Sequence, residues 1–149
     1  MVYKFRLISK EVKGFVRDID ILSGQSFYDF HIILTQNFHY DSTQLASFII
    51  SNKKWGKLQE IMLFDFSEGR TKNIKLMDRC RISEHIKSIG GRVLYNFDLV
   101  NERTMFIELI ETRKEDQIHS YPRISHSEKS PPPQLYISDA NFDDLEFDE

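Results

Sequence analysis

Five histidines, one cysteine and a carboxylate beside a loop are the residues of this 149-residue chain that could carry acid–base, nucleophilic or metal chemistry. His31 lies next to an apolar stripe, His39 near the end of the same segment, His85 in a short second segment, and His119 and His126 further on. No two of them stand four residues apart with an acid between, the helical spacing by which zinc enzymes hold a metal and a base together. Asp98 precedes the loop Leu99-Val100-Asn101-Glu102. A second carboxylate such as Glu102 near it could split their two pKa values and make an acid–base pair, although acids at strand ends more often close turns. Cys80 lies between Arg79 and Arg81, cations that would stabilise a thiolate, but no histidine and acid are tied to it by any motif. The chain has no glycine-rich phosphate loop and no G-x-S-x-G elbow. These residues therefore assign no catalytic group, no cofactor and no metal; an enzyme would have to be built as a pocket around Asp98.

Binding is better represented than catalysis. Arg70, Lys72, Lys75, Arg79 and Arg81, with Lys53, Lys54 and Lys57 around the single tryptophan Trp55, could make a nucleic-acid face. Six acids and no base follow Gln134, which leaves 17 acids against 20 bases in residues 1–133, a net +3. That is low for a nucleic-acid module, and runs of this kind are usually solvated loops. The tail sets Phe142, Leu145 and Phe147 among Asp143, Asp144 and Glu146. Apolar anchors among acids are the composition of short recognition segments, in which the rings supply affinity and the acids steer the encounter. A solubilising terminus is the plainer reading of the same residues.

The elements that must position these groups can be read from periodicity. Phe27, Phe30, Leu34 and Phe38 fall on one face of a helix over 26–39, with Ser26 as cap and Asp29 in its first turn. Tyr3, Phe5 and Leu7 alternate with Lys4 and Arg6, and Phe15, Ile19 and Ile21 with Val16, Asp18 and Asp20, so a hairpin comes first. Strands are expected at Leu45–Ile50, at Leu58–Phe66 inside the sheet, at Val93–Phe97 and at Met105–Glu111, with a loop over 67–78. A short helix near 82–89 carries Ile82, Ile86 and Ile89 and ends at Gly90-Gly91. The lone cysteine argues against disulfides, and no segment at the amino terminus reads as a leader, so a reducing cytoplasm is the expected compartment.

SFYDFHIILTQNFHYDSTQLASFII resembles the signature of the plasmid pRiA4b ORF-3-like family, with Phe30, His31, Leu34, Gln36, Phe38, Leu45 and Phe48 at the matching places. Residues 82–109 are similar to the family's second half, where Tyr95, Phe97, Asp98 and Leu99 fit a tyrosine-aspartate turn. Val100, Asn101, Arg103 and Met105 depart from its continuation, and Tyr121-Pro122 and Pro131-Pro132 echo later elements. The resemblance implies a compact α+β domain with a mixed sheet and little about activity. Some relatives are linked to insertion elements and resolvases, yet this chain lacks the serine among arginines that a serine resolvase needs.

The resulting expectation is an α+β domain over 1–112 in the order ββαββαββ, a mixed sheet of about six strands with two helices on one face. A proline-containing linker over 113–133 and a disordered acidic tail over 134–149 follow. The expected role is a non-enzymatic protein-interaction module working through the tail (Phe142 to Phe147) or a sheet edge, with an unidentified protein as partner and no membrane. The alternatives are a nucleic-acid accessory factor using 70–81 and an enzyme with a pocket at Asp98.

Overall fold

Alternation in the first 22 residues makes a hairpin of β1 (Val2–Ser9) and β2 (Val16–Leu22), paired so that Lys4 faces Asp20 and Arg6 faces Asp18. A computed structural model describes residues 1–70 and 73–135. The chain then forms α1 (Phe27–Phe38), β3 (Ser47–Ser51), β4 (Lys57–Met62), a two-residue β5 (Lys75–Leu76), a 3-10 turn (Met77–Arg79) and α2 (Ile82–His85). It ends in β6 (Arg92–Asp98), β7 (Arg103–Arg113) and β8 (Arg123–Glu128). The eight strands form one sheet in the order β5-β4-β3-β6-β7-β1-β2-β8. It is mixed, as expected, through the one parallel pair β4–β5.

α1 starts where its sequence says it should. Ser26 Oγ accepts from the Asp29 amide at 3.1 Å and Asp29 Oδ2 accepts from the Ser26 amide at 3.0 Å, a closed capping box. The helix stops at His39, whose φ of 59° takes the chain into the left-handed turn. Phe27, Phe30 and Leu34 are wholly buried, and Phe38 nearly so. Both helices share one core cluster with the odd-numbered residues of β1, β2, β6 and β7, among them Phe5, Ile19, Tyr95 and Ile107. Phe48 of β3 is the hub: its ring lies 5.3 Å from Phe27, 5.1 Å from Phe30 and 4.9 Å from Tyr95. Each buried ring contributes about 1.5–3 kcal/mol relative to exposure, enough to hold the helix on the sheet.

The strand count corrects the expectation of six. β5 lies in the stretch read as a loop, where two residues pair with Ile61 and Met62 and are too few to show a period. β8 lies in the stretch read as a linker. Apart from Ile124 its residues are polar, and it is held by ladder bonds to β2 and by partners such as Asp20 for Arg123, none of which periodicity reports. β4 lies inside the sheet as expected, between β5 and β3, but it is shorter than 58–66: Lys57 to Glu60 are exposed, and Asp65 ends the run by accepting from the Ser67 amide and hydroxyl. α2 is shorter than 82–89, and Ile89 is exposed. Gly90, at φ +94°, is the left-handed turn that follows. No helix among the described residues is long and apolar enough to cross a membrane. The acidic tail lies outside the described residues from Tyr136 onward.

Candidate functional site

The described chain ends in a clamp built around Arg103. This guanidinium opens β7 on the helix side of the sheet and is 8 % exposed. Its Nε and Nη2 donate to Glu11 at 3.0 and 2.7 Å, and Nη1 donates to Asp98 at 3.4 Å. The same two terminal nitrogens donate to the backbone carbonyls of Gln134 and Pro133, at 2.9 and 2.7 Å. The ring of Phe97 lies 4.6 Å beneath. Proline carbonyls suit this use because their extended backbone presents oxygens without a competing N–H. Tyr40 donates to the Pro132 carbonyl, and the Gln134 side chain makes a two-way amide pair with the backbone of Asp41, at 2.7 and 3.0 Å.

The clamp sets the charge state of its acids. Burial alone would raise the Asp98 carboxyl, but hydrogen bonds from the Asn101 amide and side chain and from Arg103 outweigh it and hold Asp98 below the usual carboxylate range. Burial pulls Arg103 down, while Glu11 and Asp98 push it up further and leave it above its ordinary value. Asp98 does border a cleft of about 260 Å³, together with Leu45, Leu99, Val100, Gln134 and Leu135. Its oxygens are committed to the turn and the arginine, so it acts there as a fixed anion that closes a loop. A proton donor needs the opposite shift.

The other residues singled out by the sequence are dispersed. Tyr95 is buried under α1 with its hydroxyl 2.8 Å from His31 Nδ1, and Phe97 floors the clamp. Arg70 pairs with Glu68 at an exposed turn, Lys75 is on β5, Arg79 closes the 3-10 turn and Arg81 caps α2. All four are exposed and interspersed with Asp78 and Glu84; Lys72 lies outside the described residues. Cys80 is buried, and burial raises its thiol, the reverse of what Arg79 and Arg81 beside it in sequence suggest. Among the described residues no group of three or more His, Cys, Asp and Glu side chains could hold a metal ion. The tail residues Phe142, Asp143, Asp144, Leu145, Glu146 and Phe147 lie outside the described residues.

Sequence reasoning missed the outer face of the sheet. Cross-strand pairing lines up Ile49, Leu94, Phe106, Ile8 and Val16 in one apolar row over five strands. The next row, Arg92, Glu108, Arg6 and Asp18, alternates in charge. Arg92 bonds Glu108 at 3.0 Å, and Arg6 grips Asp18 with two nitrogens at 2.9 and 3.0 Å. Trp55, at the tip of the β3–β4 hairpin, folds onto this face with its ring 5.0 Å from Phe106 and the Arg92 guanidinium 4.8 Å from it. Between Trp55, Ile8, Phe106 and Ile110 lies an open groove of about 250 Å³. Only the register brings these residues together. The alternation of β1 gave one hint, since Ile8 interrupts the charged face of Lys4 and Arg6.

An eight-stranded mixed sheet with one helical layer, closed at one end by an arginine clamp, defines an α+β protein of the kind the sequence suggested. The chain belongs to the plasmid pRiA4b ORF-3-like protein family, whose model matches residues 3–136. It is also similar in fold to the crystal structure of a protein of unknown function, MM3350 from Methanosarcina mazei Go1. That match has a TM-score of 0.73 at 16 % identity and covers 98 % of this chain and 79 % of the other. No curated protein matches the sequence.

Proposed function

We propose that the protein is a non-enzymatic interaction module whose acidic, aromatic terminus contacts a protein partner. One observation carries the reading: Arg103 binds the carbonyls of Pro133 and Gln134, so the chain leading to Phe142, Leu145 and Phe147 is tied to the body at those two residues. Anchoring a recognition segment at its root limits the volume it searches and raises its effective concentration near any partner that also touches the body. The state of Asp98 supports the same reading, since an acid held ionised by its own turn is a poor proton donor. The sheet edge is the weaker contact. β8 is interrupted by a bulge between Asp18 and Ile19 of its neighbour and carries Arg123, His126 and Glu128, features that discourage strand addition.

The test is recovery of partners from a cell lysate with the intact chain and with Phe142→Ala, Leu145→Ala and Phe147→Ala combined. A protein captured by the first and lost from the second supports the role of the terminus. Identical recovery from both chains would reject it.

A further inference from the structure

We infer that the outer-face groove between Trp55, Ile8 and Phe106 is an acceptor site for an acidic peptide with aromatic anchors, and that its resident occupant is the chain's own segment 142–147. The inference rests on the reading of that segment as a recognition element.

Chemistry of the groove matches that of the segment. Its walls are apolar and aromatic: Ile8, 43 % exposed, and the edge-to-face pair of Trp55 and Phe106 offer room for a ring or a leucine. Its fixed charges are already neutralised, Glu108 by Arg92 and Asp18 by Arg6. What remains is a surplus of cations. Lys10 lies 4.5 Å over the Phe106 ring, and exposed Lys53 and Lys54 immediately precede Trp55 in the hairpin; none of the three has an ion pair among the described residues. An apolar slot with unpaired lysines at its rim favours a ligand carrying acids around its hydrophobic anchors. Phe142, Leu145 and Phe147 among Asp143, Asp144 and Glu146 have that composition.

Length and point of departure allow the contact. Leu135 lies beside Leu99 and Val100, at the end of the sheet where β6 turns into β7. Phe106 is three residues along β7 from Arg103, a rise of about 10 Å, and Ile110 seven residues, about 23 Å. Fourteen residues follow Leu135, and Phe142 is the seventh, so its reach is about 23 Å and that of the whole terminus about 46 Å. The terminus can pass round the end of the sheet and lay its rings on the outer face. A partner that takes the segment would then uncover the groove.

Trp55 is the only tryptophan, so its fluorescence reports on the groove in the full-length chain. Combined Phe142→Ser, Leu145→Ser and Phe147→Ser should shift its emission to the red and raise its acrylamide quenching constant at least about twofold, as expected when a mostly closed population opens. Lys10→Glu at its exposed site should give an intermediate value, and added salt should move the wild type toward the triple variant. Equal quenching of wild type and triple variant would overturn the assignment. So would shielding that grows with protein concentration, which places a second copy's terminus in the groove, or shielding that appears only with an added single-stranded oligonucleotide. Partner recovery and Trp55 shielding are separate readouts: an unshielded Trp55 with partner recovery intact overturns the groove assignment alone, whereas identical partner recovery from both chains rejects the recognition role of the segment.

Discussion

His31 and Tyr95 form a buried polar pair whose protonation the geometry decides. Nε2 of His31 lies 2.9 Å from the carbonyl of Ser42, an oxygen that can only accept, so the ring proton is on Nε2. Nδ1 is left as an acceptor for the Tyr95 hydroxyl at 2.8 Å. One neutral histidine thus ties α1 to β6 and to the loop before β3, in the middle of the aromatic core.

Burial pulls the His31 pKa below 6.5, and the bond to Ser42 only partly offsets this. The unfolded chain therefore takes up a proton near pH 6.5 that the folded chain refuses. The stability held by neutral His31 is full above that pH and falls as the pH drops through the window beneath it. His85 shifts in the same direction, so His31→Gln should flatten part of the slope between about pH 7 and 5 and leave the rest. Urea unfolding midpoints at stepped pH would show it. Tyr95→Phe should cost about 1–3 kcal/mol by leaving Nδ1 without a donor.

Arg103→Ala removes the partner of Glu11, Asp98 and two backbone carbonyls at once. Because Glu11 is partly solvated, the cost should be about 1–3 kcal/mol, below that of breaking a fully buried pair. Amide exchange and protease cleavage near 131–135 should rise more than elsewhere. Arg103→Lys should rescue little, since a point charge cannot bind two carboxylates and two carbonyls together. Unchanged cleavage in Arg103→Ala would show that Tyr40 and Asp41 hold the segment alone.

Asp20 is 1 % exposed and sits among Lys4, Arg113 and Arg123, with contacts of 3.5, 2.9 and 3.2 Å. Burial would raise its pKa, but the bond from Arg113 and the charge of Lys4 bring it below 3.8. Its contribution is therefore complete above that pH and is lost as the pH falls through the lower folded value. Asp20→Asn should cost about 3 kcal/mol at neutral pH and remove part of the acid limb of the stability curve. The separation from the histidine window makes the two effects readable in one pH series.

Ser26→Ala should cost about 1 kcal/mol through the lost cap of α1, and Ser26→Thr should restore most of it. Chemical denaturation with unchanged m-value would confirm that only stability moved.

Local order was legible in the residues themselves. The Phe27–Phe38 stripe, the Ser26–Asp29 box and the alternation of β1 and β2 are short-range patterns, and each stands where its spacing put it. The two strands that were missed are those whose stabilisation comes from elsewhere: β5 from two residues of β4, and β8 from β2 and Asp20. Arg79 and Arg81 surround Cys80 in sequence, yet the fold buries the thiol and turns both arginines outward. Neighbourhood along the chain was a poor guide to electrostatics there.

The sequence by itself determined the α+β class, the family and the helix around which the core forms, because side-chain period and capping act over a few residues. Tertiary structure alone decided that Arg103 meets Pro133 and Gln134, that His31 meets Tyr95, and that Ile49, Leu94, Phe106 and Ile8 fall in one row beneath Trp55. Those contacts join residues 30 to 64 positions apart or rest on strand register, and a one-residue slip would move every side chain of the row to the opposite face.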